Sequence, residues 1–347
     1  DPSTNVFITG RFQGDITIGS TALSSGNSFE IFLAKLTSAG VVEWAVSLSG
    51  DAGANSNDVV ADVTGAPCIT GYFEGVLSPG GSVPPLISAG GRDAFVAKFS
   101  STGSPLWAAR AGGPDDDSGR GIDVDADGDV LVTGAFVGAS RFDDQGGATA
   151  TTITSAGETD IYVAKYTSDG EVVWAVRAGG PMGDEGRDVA VDASGNVYVT
   201  GAFRGVADFA GAHALTAGGS GTDAFLAKFT SGGAAEWSLR EGGDDRAVAM
   251  CDYLDCMPQD PDRTGQQLCD FMDRCSNDIK ASSRSEVLYS MDEGAGVAVH
   301  TDGSVYVTGK FYGVVTISGS RLVTHGEADV FVTHVTAGGQ ITWAMAV

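Results

Sequence analysis

The sequence predicts an all-β chain of about five similar units, each a four-stranded antiparallel sheet, and three recurring signatures predict it. The first is Thr-Gly-x-Phe-x-Gly, complete at Thr9 to Gly14, Thr70 to Gly75, Thr133 to Gly138, Thr200 to Gly205 and Thr308 to Gly313. The second is Gly-x-x-x-Trp, at Gly40/Trp44, Gly103/Trp107, Gly170/Trp174, Gly233/Trp237 and Gly339/Trp343, which takes up every tryptophan of the chain. The third is an acidic residue with an aromatic two places on and usually Ala-Lys after it: Glu30 to Lys35, Asp93 to Lys98, Asp160 to Lys165, Asp223 to Lys228, and Asp329 to His334 as a variant. The unit is about 63 residues long, and the interval between the fourth and fifth Thr-Gly carries about 45 more.

Each strand follows from the local pattern. In the fourth unit Asp188-Val189-Ala190-Val191 reads as a short first strand. Asp192-Ala193-Ser194-Gly195-Asn196 reads as a turn, in which Gly and Asn supply the positive φ of tight hairpins. Val197-Tyr198-Val199-Thr200 is the second strand. A longer excursion leads to the third, at Ile161 to Tyr166 or Ala224 to Phe229, and the fourth carries the tryptophan, as in Val172-Val173-Trp174-Ala175-Val176. Apolar residues fall on both faces, so each sheet expects to be buried between neighbours, which describes the blade of a β-propeller. The expectation is a ring of about five blades. The first would lack its inner strand, because Asn5-Val6-Phe7-Ile8 already reads as a second strand. Cys68 aligns with Phe7, Leu131, Tyr198 and Tyr306 in that strand, so it should be a buried free thiol.

Composition narrows the function classes. The 347 residues carry 20 Lys+Arg against 45 Asp+Glu, a net charge of −25, which argues against nucleic acid as a partner. No run of about 18 apolar residues exists to span a membrane. Gly supplies 51 residues and 42% are hydrophobic, which suits many short strands and turns around a real core. The opening Asp1-Pro2-Ser3-Thr4-Asn5 has neither the basic start nor the apolar stretch of a signal peptide.

The organisation reads as repeats one to four over 1–243, an insertion over 244–290 and repeat five over 291–347. In the insertion Leu268, Phe271, Met272, Cys275 and Ile279 recur at helical spacing behind Asp260 as N-cap and Pro261 at the first helical position. Arg246 to Met257 is either a second helix, giving a helical hairpin, or the start of a strand. Cys251, Cys256, Cys269 and Cys275 predict two disulfides with three connectivities open, the nested pairing Cys251–Cys275 and Cys256–Cys269 suiting antiparallel helices. Disulfides imply an oxidising compartment. Zinc is disfavoured by the spacing of the second cysteine pair and the lack of a nearby His.

Candidate chemistry is sparse. Asp123, Asp125 and Asp127, followed by Gly128, match the start of a calcium loop, but no Glu stands at the twelfth position, and Asp62, Asp125, Asp192 and His300 share one turn column. The links between units are acidic at Asp115-Asp116-Asp117, Asp184-Glu185, Asp244-Asp245 and Asp292-Glu293 and would gather on one face, as a solubilising surface or a site for cations or a basic partner. Lys35, Lys98, Lys165 and Lys228 share a repeat position, as structural ion pairs or apolar cover require. Asp58, Asp123 and Asp188 could be cast as glycosidase carboxylates near an axis. No Ser/His/Asp signature, phosphate loop or His-Glu-x-x-His is present, and His213, His300, His325 and His334 form no metal-type pair.

The run Val-Asp-x-x-Gly-Asn-Val-Tyr-Val-Thr-Gly, followed by Ala-Lys, Gly-x-x-x-Trp and Gly-Gly, resembles bacterial β-propeller repeats of the SBBP type. The resemblance implies a secreted or surface-exposed bacterial protein, and the family carries no defined catalytic residues. The expected function is therefore a non-enzymatic extracellular or cell-surface binding or structural module, with the Cys-rich insertion as contact surface and a protein or surface glycan as partner. It would be capable of higher-order assembly. A calcium-dependent lectin-like propeller and a glycan-cleaving enzyme are the alternatives.

Overall fold

The computed structural model describes residues 1–143, 150–210, 214–219, 221–242, 292–324 and 328–347. Unit one consists of β1 (Val6–Phe12), β2 (Asp15–Ile18), β3 (Thr21–Ser24), β4 (Glu30–Leu36) and β5 (Val42–Gly50). Unit two holds β6 (Gly53–Ala61), β7 (Pro67–Glu74), β8 (Val76–Ser78), β9 (Leu86–Ile87), β10 (Asp93–Phe99) and β11 (Pro105–Gly112). Unit three has four longer strands, β12 (Ser118–Val124), β13 (Val130–Asp143), β14 (Ala150–Tyr166) and β15 (Val172–Gly179). Unit four comprises β16 (Glu185–Val191), β17 (Val197–Arg204), β18 (Val206–Phe209), β19 (Leu215–Thr216), β20 (Thr222–Phe229) and β21 (Ala235–Glu241). Unit five comprises β22 (Glu293–Val299), β23 (Val305–Phe311), β24 (Val314–Ile317), β25 (Ser320–Val323), β26 (Asp329–Val335) and β27 (Ile341–Ala346). The four-stranded antiparallel order recurs as β16-β17-β20-β21 and β22-β23-β26-β27, while unit one pairs only β1-β4-β5.

Two expectations are corrected. The strands do not close into a five-bladed ring: the sheets are open, and among the described residues no strand of unit five pairs with one of unit one. The lateral hydrogen bonds run between successive units instead. The last strand of one unit takes the hairpin extension of the next, as β5 with β8, β11 with β13 and β15 with β18, which fuses much of units two to four into one ten-stranded sheet. The described residues contain strands, turns and bends but no helix and no disulfide, so the disulfide-stapled helical insertion is not part of the fold they define. The segment expected to form it, with Cys251, Cys256, Cys269 and Cys275, lies outside the described residues. Cys68 is the free, buried thiol expected of it, and burial pushes its pKa up to about 12.

The core lies between units. Ile31, Leu33 and Leu48 of unit one pack against Phe73, Phe95 and Phe99 of unit two. Trp107 and Val96 meet Ile122, Val132 and Tyr166, Leu131 and Val163 meet Val199 and Phe225, and Tyr198 and Leu226 meet Val307 and Phe331. A further cluster, Phe12, Leu23, Ala34 and Ala45, belongs to unit one alone.

The Thr-Gly signature holds each unit together. Thr9, Thr70, Thr133 and Thr200 donate their hydroxyls to the carbonyls of Phe32, Phe95, Tyr162 and Phe225 across the sheet. The next residue must be Gly because the first strand bulges toward it. The register slips at Asn57, Arg120, Arg187 and Ala295. A Cβ on Gly134 would stand 2.0 Å from the Ser118 carbonyl oxygen and 2.9 Å from the Tyr162 ring. Gly134→Ala is therefore expected to lose roughly 3 kcal/mol or more in urea unfolding. Gly14→Ala, at φ 77° but with nothing within 4 Å of a Cβ, should lose about 1 kcal/mol. Equal losses would show that the bulge yields.

Candidate functional site

The same bulges build a cleft. Each pushes one side chain of the first strand off the regular alternation, and in units three and four that residue is Arg120 and Arg187. Both line a cleft of about 510 Å³ with Tyr72, Arg92, Asp116, Glu185 and Glu293. Arg120 Nη2 is 2.7 Å from Glu185, and Arg187 Nη2 lies 3.1 Å from Glu185 and 2.6 Å from Glu293. Arg92 pairs with Glu74 at 3.0 Å and lies 4.9 Å above the Tyr72 ring. Arg187 Nε is buried and has no hydrogen-bond partner among the described residues. The cleft thus presents three paired guanidiniums, and two of the pairs, Arg120 with Glu185 and Arg187 with Glu293, join neighbouring units. Arginine suits such pairing because its planar fork offers several donors at once.

The acidic links meet here, but half of their charge is structural. Asp117 accepts the backbone N–H of Gly113 and Val137, and Asp184 those of Gly180 and Arg204. Asp292 accepts from Tyr312. These aspartates are buried, and burial pushes Asp117 and Asp184 up to about 7 against the pull of their N–H donors. Asp116, Glu185 and Glu293 remain to face the cleft. Asp244 and Asp245 lie outside the described residues.

Asp58, Asp123 and Asp188 are brought together on the first strands, where they act as staples between sheets. Asp58 accepts the N–H of Val59 in its own strand and of Ile122 in the next sheet. Asp188 does the same with Val189 and Val297, and Asp123 with Val124 and Val191. Burial, followed by mutual repulsion, raises Asp58 and Asp123 to about 6 despite these bonds, and burial raises Asp188. Each of these carboxylates thus accepts two backbone N–H groups, one from its own strand and one from the next sheet.

The calcium-loop residues do not converge. Asp123 points across to the neighbouring sheet, whereas Asp125 accepts the N–H of Asp127 and Asp129 on one oxygen and Lys165 at 2.8 Å on the other. Asp127 is exposed. No group of three His, Cys, Asp or Glu among the described residues is arranged to hold a metal ion. The repeated lysines make the structural ion pairs expected of them: Lys98 with Asp62 at 3.1 Å, Lys165 with Asp125 and Asp129, Lys35 with Glu43, and Lys228 with Glu236. His300 pairs with exposed Asp302 at 3.0 Å, while His334 stacks on Trp343; His213 and His325 lie outside the described residues.

Nothing in the sequence singled out Arg120 and Arg187. Their signal was available as a basic residue two places beyond an acidic or hydroxyl link residue, just before the first strand resumes its alternation.

Fold and cleft together define an open all-β repeat array whose inter-unit edge carries a charge-lined groove. Residues 173–202, from the last strand of unit three through the second strand of unit four, match a family model described as a beta-propeller repeat, SBBP. The chain is 29% identical over 119 residues to an uncharacterized WD repeat-containing protein of Acanthamoeba polyphaga mimivirus, covering 34% of this chain and 9% of that protein. It is 31% identical over 144 residues to the regulatory protein FlaEY of Caulobacter vibrioides, covering 42% of this chain and 15% of that protein. The matched stretches are thus small parts of much longer relatives.

Proposed function

We propose that the chain is a non-enzymatic interaction module of a secreted or surface assembly, which binds a protein partner through the Arg92/Arg120/Arg187 cleft and the adjoining insertion. The observation that carries this reading is the cleft itself: three arginines, two of them paired with carboxylates of the next unit, with the buried Arg187 Nε unpartnered among the described residues. In sequence the insertion precedes β22, whose first residue, Glu293, lines the cleft. A segment outside the repeat can change without disturbing the stacked units, which makes it a natural carrier of partner specificity. The names of the two relatives, a WD repeat protein and a regulatory protein, support an interaction role over catalysis.

The test is affinity capture from the surface fraction of the producing cell. It compares the intact chain, a chain lacking residues 246–288, and the double variant Arg120→Glu/Arg187→Glu. A partner retained by the first and lost at least tenfold by both others supports the reading; equal capture by all three overturns it. A glycan array run with calcium and with EDTA separates the lectin alternative. Calcium-dependent signals removed by changing Asp123, Asp125 and Asp127 would replace the protein partner with a sugar. Oligosaccharide turnover lost with Asp123→Asn or Asp188→Asn would make the chain an enzyme.

A further inference from the structure

The joint between units four and five is built unlike the joints before it. At those, the last strand of one unit pairs with the hairpin extension of the next, and an indole Nε1 donates to the carbonyl two residues before the following glycine turn: Trp44 to Ser101, Trp107 to Ser168 and Trp174 to Ser231. Between units four and five, β24 and β25 pair with each other, and β21 gains no lateral strand among the described residues. Trp237 still covers its glycine turn, with an added Cβ on Gly339 falling 2.9 Å from the indole. Its buried Nε1, however, has no hydrogen-bond partner among the described residues.

The packing differs at the same joint. Ala111 shares an apolar cluster with Ala164, and Ala178 with Ala227. Between units four and five these two positions are held by Glu241 and Thr333, both buried. The Thr333 hydroxyl donates to Glu241 Oε1 at 2.7 Å, while Oε2 is buried without a hydrogen-bond partner among the described residues. A carboxyl so placed costs stability that an alanine would not, and the cost rises when it ionises. The inner strands of the joint are firmly tied. Asp188 accepts the Val297 N–H at 2.8 Å, and Arg187 reaches Glu293 at 2.6 Å. Glu293 precedes Val297 by four residues of β22, roughly 13 Å at the strand rise, and lines the cleft. A turn of unit five about the Asp188 contact therefore displaces Glu293 relative to Arg187.

We propose that this joint is a hinge: unit five turns about the Asp188–Val297 contact, the Glu241–Thr333 hydrogen bond latches it, and release of the latch opens the cleft between Arg187 and Glu293. Its regulatory meaning rests on the cleft being the binding site. The latch responds to pH. Burial pushes Glu241 up to about 7 against the pull of the Thr333 hydroxyl, so the neutral carboxyl keeps the joint closed at lower pH. The charged groups of the packed strands have partners of their own. Arg240 is bound to Asp223 and Arg187 to Glu293, Lys310 lies over the Tyr312 ring, Asp292 accepts the Tyr312 N–H, His334 stacks on Trp343, and Asp329 is engaged as well. Ionised Glu241 thus gains most by reaching water, which the open joint allows.

The experiment is fluorine NMR of the full chain labelled with fluorotryptophan, titrated from about pH 6 to about pH 8, with resonances assigned by Trp237→Phe and Trp343→Phe. Trp237 reports this joint, and Trp44, Trp107 and Trp174 report the other three. The Trp237 resonance should move toward its solvent-exposed position with a midpoint near pH 7 while those three stay in place. In Glu241→Gln it should stay fixed throughout, and the three unmoved resonances show that the variant has folded. Trp343 is not read, because it stacks on the titratable ring of His334. A Trp237 resonance that stays with the others, or that moves equally in Glu241→Gln, overturns the hinge. The readout needs no partner, so failed capture alongside a moving Trp237 overturns the binding reading alone.

Discussion

Trp107→Ala is expected to remove about 3–5 kcal/mol of stability, and Trp343→Ala, at the same repeat position, less than about 1 kcal/mol in dilute monomer. The two residues share chemistry and strand register but not surroundings. Trp107 is 3% exposed, stacks on Tyr166 at 6.3 Å, lies against Gly170 and donates to the Ser168 carbonyl. Its truncation opens a cavity between units two and three and leaves that carbonyl without its indole donor. Trp343 is 40% exposed, so its truncation opens no comparable cavity. Urea unfolding followed by far-UV circular dichroism checks both, and comparable losses would show that the tryptophan stabilises its own sheet and not the junction.

The second large effect is an inverted pH profile. Burial lifts Asp58, Asp93 and Asp123 to about 6 and Asp117, Asp184 and Glu241 to about 7. An acid whose folded pKa exceeds its unfolded one keeps its proton longer in the folded state. The associated stability is fully present below the unfolded pKa and is lost as pH rises through the folded value. Stability should therefore fall between about pH 4 and pH 7, and the net charge of −25 adds repulsion in the same direction. Glu241 is the clearest single contributor. It stands where units two and three have Ala111 and Ala178, is 1% exposed, and accepts the Thr333 hydroxyl at 2.7 Å. Glu241→Gln should gain up to about 3 kcal/mol at pH 8, gain little at pH 5, and flatten the slope between them. Thermal melts across that range decide it; a profile rising with pH would refute the burial of these acids as neutral groups.

Periodicity made the units legible, because Thr-Gly, the Asp-aromatic pair and Gly-x-x-x-Trp each mark a fixed place in a sheet. What it could not reveal was which copy of a motif each copy touches. Trp44 rests on Gly103 and not on its sequence neighbour Gly40, and a repeated pattern reads the same either way. Closure was illegible for a related reason: a repeat count fixes the number of sheets but not the curvature with which they stack. The short extensions Val76–Ser78 and Val206–Phe209 are too brief to stand out as strands, yet β8 and β18 carry the lateral pairing that fuses the units. Asp58, Asp123 and Asp188 looked like one column because all fall near the start of a strand. The bulges at Asn57, Arg120 and Arg187 show instead that Asp123 sits two residues further along, opposite Leu131, while Asp58 and Asp188 oppose Thr70 and Thr200. Those bulges also make the arginine cleft, and nothing in local composition announces a bulge.

The aspartate staples bear on how such a chain can grow. In each the carboxylate comes from one sheet, while the next sheet offers only a main-chain N–H: Ile122 to Asp58, Val191 to Asp123, Val297 to Asp188. A main-chain donor is present whatever residue follows, so the receiving sheet needs no matched side chain. A duplicated unit would keep this one bond to its predecessor, while the indole, its glycine turn and the apolar faces would still have to match.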